Sequence, residues 1–152
     1  MKVFIDGDGS PIKKAVIDWA IKKQLFVVIV TSIAHYSTKE FPNFISFVYV
    51  DKGVDSADYR ILQLIKTGDI LITQDYGLAA LALAKRVIVL HHLGYEYTDE
   101  KITGLLNQRF LSAKMRKNGK YGKGPKPYTH KDLERFMHLL EEVVKKTAED
   151  TQ

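Results

Sequence analysis

Residues 25–31, which read Leu-Phe-Val-Val-Ile-Val-Thr, constrain the fold of this chain more than any other segment. The segment is apolar and β-branched and shows no alternation with polar residues, which is typical of a strand buried on both faces. Such strands occur in parallel sheets that helices cover on both sides. The segment therefore predicts an α/β fold built around a parallel sheet.

The rest of the chain alternates strand and helix patterns as a parallel sheet requires. Strands are predicted at residues 2–5, 25–31, 45–50, 70–73 and 87–90. Helices are predicted from Ser10-Pro11 to residue 23, at residues 55–66, at 78–82, from Thr98 to residue 111, and at about 130–147. Ser10 is predicted to cap the first helix and Thr98 the fourth, and Thr129 with Asp132 resembles a capping box for the last. The patterns predict a single three-layer α/β domain over residues 1–152, with a mostly parallel, five-stranded sheet.

Composition excludes several classes of protein. The chain has 152 residues and no cysteine, so disulfides and thiolate metal sites are excluded. The start Met-Lys-Val-Phe-Ile-Asp reaches an acidic residue before a signal peptide could form, and the longest apolar runs are too short to span a bilayer. We expect a cytoplasmic protein that does not associate with membranes.

Acidic residues follow three of the predicted strands. Asp6 and Asp8 come at the end of the first strand, Asp55 and Asp58 follow the third, and Asp75 follows the fourth. The carboxyl ends of parallel strands share one edge of the sheet, and ligands bind at that edge where the strand order reverses. We therefore expect these carboxylates to converge there.

Two interpretations of the acidic residues stay open at this point. Asp8, Asp55 and Asp75 each precede a predicted helix and could serve as N-caps. Several carboxylates at one edge repel each other, however, unless a cation or a proton neutralises them. Oxygen ligands without cysteine or clustered histidine favour Mg²⁺ or Mn²⁺. We predict that Asp6 and Asp75 bind the metal, assisted by Asp55 or Asp58 and by Asp8 through water.

The net charge of +5 is concentrated in one segment. Residues 109–126 contain no acidic residue and seven basic ones, which are Arg109, Lys114, Arg116, Lys117, Lys120, Lys123 and Lys126. A basic segment beside an acidic site is typical of proteins with an anionic partner such as nucleic acid. The alternative is a solvated loop, at about residues 114–128, that only aids solubility.

Three further features are candidates for the site. Arg109 falls on the apolar stripe of its predicted helix, so it needs an anionic partner, either a structural carboxylate or a substrate phosphate. His91 and His92 end the fifth strand, where adjacent side chains point in opposite directions, so a chelating pair is not expected. Ser10 has no histidine or lysine base nearby in sequence and is interpreted as a cap rather than a nucleophile.

Several short motifs are specific when taken together. They are VFIDGDGSP at residues 3–11, VDSAD at 54–58, GDILITQD at 68–75, Leu78-Ala79, NQRF at 107–110 and GKYGKGP at 119–125. On these motifs the chain resembles, over nearly its whole length, the uncharacterised bacterial YaiI/YqxD family, which is grouped with PIN-like nuclease folds. The resemblance implies sheet order 3-2-1-4-5 and a metal-dependent nuclease site on Asp6, on Asp55 or Asp58, and on Asp75.

The chain departs from the usual family pattern at two positions. Ser10 stands where the family commonly has cysteine, which argues against thiol chemistry there. Leu93 stands where the family tends to carry an arginine, just before the glycine matched by Gly94. If that arginine binds substrate, this chain lacks one contact.

Two other functions are consistent with the sequence. Asp6-Gly7-Asp8 also resembles the opening of haloacid-dehalogenase-type phosphatases, in which the first aspartate is a nucleophile and the second an acid and base. Alternatively, the chain is an RNA-binding or adaptor domain with a non-catalytic acidic site, in which Tyr121 and Tyr128 stack on bases.

Overall fold

A computed structural model of the chain describes residues 1–33, 37–51, 56–117 and 126–150, and for residues 56, 109–117 and 150 it describes the backbone alone. In this part of the chain the elements are β1 (Val3–Asp6), α1 (Lys13–Lys23), β2 (Val27–Ser32), β3 (Ile45–Val50), α2 (Ser56–Leu64), β4 (Ile70–Ile72), α3 (Tyr76–Ala84), β5 (Ile88–His91), β6 (Tyr95–Glu96), α4 (Asp99–Lys117) and α5 (His130–Asp150). The predicted alternation of strands and helices is confirmed.

The strands form one sheet in the order β3-β2-β1-β4-β5-β6. The first five strands of this order pair in parallel, and their order is the predicted 3-2-1-4-5. The prediction of five strands was wrong in one respect, because β6 adds a sixth strand antiparallel to β5. With only two residues, this strand is too short to show a period in the sequence.

The sheet is buried on both faces, as its apolar strands predict. Val3 and Ile5 of β1 belong to one core cluster, and Phe4 between them belongs to the other. The first cluster includes buried residues of α1 and α5, such as Val16 and Phe136. The second cluster includes apolar residues of α2, α3 and α4, so helices cover the sheet on both sides.

The predicted start of the first helix was wrong. Helix α1 begins at Lys13 after Ile12, and its N-terminus has no side-chain cap. Ser10 instead donates its backbone N–H to Gly7 O at 3.2 Å, which closes a turn between β1 and the helix. Ser10-Pro11 therefore belongs to this turn, because the chain turns away from the sheet edge before it winds into a helix.

Both predicted threonine caps are confirmed. Thr98 Oγ1 accepts from the Lys101 backbone N–H at 3.1 Å at the start of α4. At the start of α5, the Thr129 backbone N–H donates to Asp132 at 2.9 Å and the Asp132 backbone N–H donates to Thr129 Oγ1 at 3.1 Å, which is a complete capping box.

The boundaries of the basic segment also need correction. Helix α4 continues to Lys117, so the positions of Lys114 and Arg116 are helical rather than part of a loop that begins at about residue 114. Lys120 and Lys123 lie outside the described residues.

No helix within the described ranges combines the length and the apolar character that crossing a bilayer would need.

The side chain of Phe136 is 0% exposed and lies in the core cluster with α1 and the sheet. A substitution at this position therefore tests whether α5 is a structural part of the fold. We expect Phe136→Ala to lower the free energy of unfolding by about 3–5 kcal/mol, the usual loss for a buried phenylalanine. Urea denaturation measures it. The matched variant Phe26→Ala, at a side chain 56% exposed, should cause a much smaller loss. Equal losses in the two variants would contradict this packing.

Candidate functional site

The candidate site lies where the order of strands reverses. Successive strands β1, β2 and β3 run outward on one side of β1, and β4 and β5 lie on its other side. A crevice therefore opens at the carboxyl ends of β1 and β4, the place where open parallel sheets bind ligands. Asp6 ends β1, and Thr73 and Asp75 follow β4 directly.

Thr73 joins the two strand ends. Its hydroxyl donates to Asp6 Oδ2 at 2.9 Å and accepts from the Asp75 backbone N–H at 3.0 Å. Thr73 is only 2% exposed, so this hydroxyl is held in a fixed place between the two acidic residues. The hydrogen bond orients the carboxylate of Asp6 toward β4.

The fold disfavours the charged form of the Asp6 carboxyl group. Burial raises its pKa above the ordinary value of 3.8, and the charges of Asp75 and Asp8 raise it further, while the Thr73 hydrogen bond acts in the opposite direction. The charges of Asp8 and Asp75 therefore both act on Asp6. The convergence of these carboxylates into one metal-binding group stays a prediction.

Asp75 has a structural role, as one of the two sequence interpretations predicted. Its Oδ1 accepts from the backbone N–H groups of Gly77 at 2.9 Å and Leu78 at 3.2 Å, so Asp75 is the N-cap of α3. A carboxylate has two oxygens with about four lone-pair sites. Capping through Oδ1 therefore leaves Asp75 chemically able to take part in a second interaction.

Asp8 binds to β2 rather than to the first helix. Its Oδ1 accepts from Thr31 Oγ1 at 2.7 Å and from the Ser32 backbone N–H at 3.1 Å. The suggestion that Asp8 caps α1 was wrong, because the loop after β1 follows β2 closely. At Gly7 an added Cβ would lie 3.0 Å from Val30 O, so any other residue would crowd the backbone of β2 at this close approach.

The second acidic pair is described only in part. Asp58 lies in the first turn of α2 and is half-buried, whereas Asp55 is outside the described residues. Over the described ranges, no three Asp, Glu, His or Cys side chains are grouped so that they could hold a metal ion. The predicted roles of Asp55 and Asp58 in metal binding and catalysis stay predictions.

The predicted substrate-binding residues also stay predictions. Arg109, Lys114 and Arg116 lie on α4 at positions whose side chains are outside the description, and Lys120 and Lys123 follow beyond it.

Sequence reasoning missed the aromatic cluster beside the site. The rings of His91 and His92 lie 4.3 Å apart, His91 stacks on Tyr95 at 4.6 Å, and Tyr97 meets both His91 and Tyr95 edge-on. The expectation that the two histidines point in opposite directions was wrong, because β5 ends at His91 and His92 already lies in a turn. The sequence signal was the spacing of aromatic residues around Gly94, a turn-forming residue with φ +96°.

This cluster contacts the backbone of the acidic site at Thr73. The Tyr97 hydroxyl donates to Thr73 O at 3.2 Å, and burial raises the pKa of Tyr97. His91 Nδ1 accepts from the Leu93 backbone N–H at 3.0 Å, and burial lowers the pKa of His91 to about 4. His91 is therefore neutral at physiological pH and stabilises the turn instead of supplying charge.

Comparison with known proteins gives a consistent result. Residues 4–146 match the model of a family described as "Uncharacterized BCR, YaiI/YqxD family". A "UPF0178 protein" of Enterococcus faecalis is 59% identical over 147 residues, which cover 97% of this chain and 99% of the relative. A UPF0178 protein of Bacillus cereus is 52% identical over 144 residues, which cover 95% of this chain and 99% of the relative. No solved structure matches the chain significantly.

The raised pKa of Asp6 makes stability depend on pH. Between the unfolded value of about 3.8 and the higher folded value, the folded state holds more protons, so stability falls as pH rises through this window. We expect Asp6→Asn, whose amide oxygen still accepts from Thr73, to melt at a higher temperature than the wild type at neutral pH in EDTA. Circular dichroism melts from acid to neutral pH measure the difference, which should vanish below the unfolded pKa.

The control for this prediction is Asp18→Asn, an exposed carboxylate on α1, which should show no such gain. Equal or lower stability of Asp6→Asn at neutral pH would show that the carboxylates do not repel each other as inferred.

Proposed function

This chain belongs to the YaiI/YqxD family, as its motifs indicated, and because that family's description names no activity, we propose a function from the site itself. We propose that the protein is a PIN-like, Mg²⁺- or Mn²⁺-dependent nuclease that hydrolyses phosphodiester bonds in RNA or a similar substrate. The strand order β3-β2-β1-β4-β5 supports the PIN-like assignment.

The electrostatic state of Asp6 carries this proposal. Its carboxyl group is half-buried at the switch point, and both burial and two neighbouring carboxylates raise its pKa. Perturbed acids in a crevice at this edge of an α/β sheet are typical of functional sites. A divalent cation would remove the repulsion among Asp6, Asp8 and Asp75.

The chemistry of the donors fits a hard cation. The converging groups are carboxylate oxygens, which Mg²⁺ and Mn²⁺ prefer, and one or two carboxylates are enough to bind Mg²⁺ together with substrate phosphates. Asp6 and Asp75 would hold the ion, Asp55 or Asp58 would supply a further ligand, and Asp8 would assist through water. When bound, the metal polarises a phosphoryl oxygen and lowers the pKa of a bound water.

The protein's own residues have defined tasks in this proposal. Thr73 fixes the orientation of Asp6, and the capping bonds of Asp75 fix its carboxylate at the start of α3. The basic segment that follows the start of α4 would contact the phosphate backbone of the substrate. The residues that would make these contacts are Arg109, Lys114, Arg116, Lys120 and Lys123.

A second candidate function has its own supporting observation. Asp8 and Asp75 already accept hydrogen bonds from protein donors, which gives each a structural reason to exist without a metal. The same bonds of Asp8 oppose the phosphatase alternative, in which Asp8 would exchange protons with substrate. The second candidate is therefore a nucleic-acid-binding or adaptor domain with a non-catalytic acidic site.

Calorimetric titration with Mn²⁺ tests the metal site. We expect Asp6→Asn and Asp75→Asn each to weaken binding by at least about tenfold, since disturbing even the partners of a metal ligand costs that much. Asparagine caps helices about as well as aspartate, so Asp75→Asn removes the charge and keeps the cap. Asp18→Asn is the control for a lost surface charge, and unchanged affinity in both site variants would exclude the assignment.

Cleavage of single-stranded RNA with and without Mn²⁺ separates the two candidates. The nuclease requires metal-dependent cleavage that Asp6→Asn abolishes. If the wild type and Asp6→Asn both bind the RNA and neither cleaves it, the second candidate, a non-catalytic binding domain, is supported.

A further inference from the structure

A cleft of about 640 Å³ lies beside the acidic site. Its walls come from the segments after β4 and β5 and from the start of α5, and they include Gln74, His92, Lys126, Tyr128 and Arg135. The volume is in the range of small-ligand sites. The proposed metal site above uses none of these residues.

The cleft carries positive charge on one wall. Lys126, Arg135 and one carboxylate, Asp132, line the cleft, and Asp132 Oδ1 lies 3.4 Å from Arg135 Nη1. A guanidinium has five N–H donors, so this single contact leaves Arg135 able to bind an anion. Asp132 is itself engaged in the capping box with Thr129.

The position of Arg135 is set by Gly94. A Cβ at Gly94 would lie 2.6 Å from Arg135 Cγ, so the aliphatic part of the arginine packs directly on the backbone of the turn after β5. The side chain remains 62% exposed, so its charged end reaches solvent in the cleft.

Aromatic rings form another part of the wall. His92 and Tyr128 meet edge to face with centroids 5.2 Å apart, and the Tyr128 hydroxyl donates to His92 O at 2.6 Å. Both side chains are half-buried, so the cleft exposes part of their rings. Rings held in this way are platforms on which nucleic-acid bases stack.

The cleft continues toward the acidic site. Gln74 and His92 also line a narrow crevice whose other walls include Asp6, Ser10 and Thr73. A chain bound in the cleft would therefore lie beside the crevice that Asp6 lines.

From this arrangement we infer that the cleft is a nucleotide subsite for single-stranded nucleic acid, in which Arg135 and Lys126 bind phosphate and the Tyr128–His92 pair stacks on a base. The inference names single-stranded nucleic acid as the substrate class of the proposed nuclease. It rests on that proposed function, because the position of the cleft beside Asp6 matters only if Asp6 takes part in cleavage. The side chains of Arg135 and Lys126 both belong to the part of the chain that the structure describes.

The test measures binding of a fluorescein-labelled oligouridine by anisotropy across a series of salt concentrations, in EDTA and at about pH 8, where histidine is neutral. Arg135→Gln should flatten the slope of log K against log salt by about 0.7, the value for one phosphate contact on a single strand. The matched control Lys146→Gln removes the same charge from an exposed site on α5 roughly 16 Å further along the helix and should keep the wild-type slope.

The stacking part of the subsite has a separate signature. Tyr128→Leu should weaken binding roughly 5- to 150-fold, the usual range for one stacked base, with the salt slope unchanged. Tyr128→Phe keeps the ring and loses only the hydroxyl that donates to His92 O, so its affinity should fall less than about fivefold, below the range for one lost stacked base. Thermal melts of each variant verify folding, and the Phe variant gives a readout even if the Leu variant fails to fold.

The outcomes separate this inference from the proposed nuclease. Equal slopes for Arg135→Gln and Lys146→Gln, equal affinities for a folded Tyr128→Leu and the wild type, a loss of about fivefold or more in Tyr128→Phe, or no oligouridine binding would overturn the subsite. Because EDTA removes any metal, the expected pattern can appear in a protein that never cleaves RNA, in which case the nuclease fails and the subsite stands. Metal-dependent cleavage at wild-type KM by Arg135→Gln would keep the nuclease and overturn the subsite.

Discussion

The burial of β1 on both faces is the constraint on which the rest of the structure depends. Val3 and Ile5 are 0% exposed on one face and Phe4 is 2% exposed on the other, so this strand must lie in the middle of the sheet. A shift of one residue would exchange the two faces, so the apolar residues also fix the register. Asp6, the next residue, is therefore forced to the carboxyl edge beside the end of β4.

That placement explains why an acidic residue is held in an unfavourable environment. The core sets the position of Asp6, and Thr73 adds one hydrogen bond that offsets part of the burial cost. Asp75 is held independently, by the requirements of a helix start. Two separate structural needs thus bring these two carboxylates to one edge of the sheet, where the charge of Asp75 adds to the rise in the pKa of Asp6.

The aromatic cluster connects this edge to α5. The Tyr97 hydroxyl donates to Thr73 O, the ring of His91 meets Tyr97 edge-on, and the Tyr128 hydroxyl donates to the backbone of His92. Phe136 and Leu140, both fully buried in the first core cluster, anchor helix α5 to the fold. A single helix therefore contributes both to the core and to the wall of the cleft, which joins the stability of the fold to the shape of the candidate site.

The sequence by itself determined the parallel sheet, both threonine caps and the place of Asp6 and Asp75 at strand ends, and the family resemblance supplied the strand order. The sheet, the caps and the strand ends follow from local rules, because apolar runs and capping residues act over a few residues each. The tertiary structure alone decided the binding of Asp8 to β2, the extra strand β6, the ring contact of His91 and His92, and the packing of Arg135 on Gly94. Each of these joins groups whose contact depends on how a turn or a distant element approaches the sheet edge, and no periodic pattern along the chain records that approach.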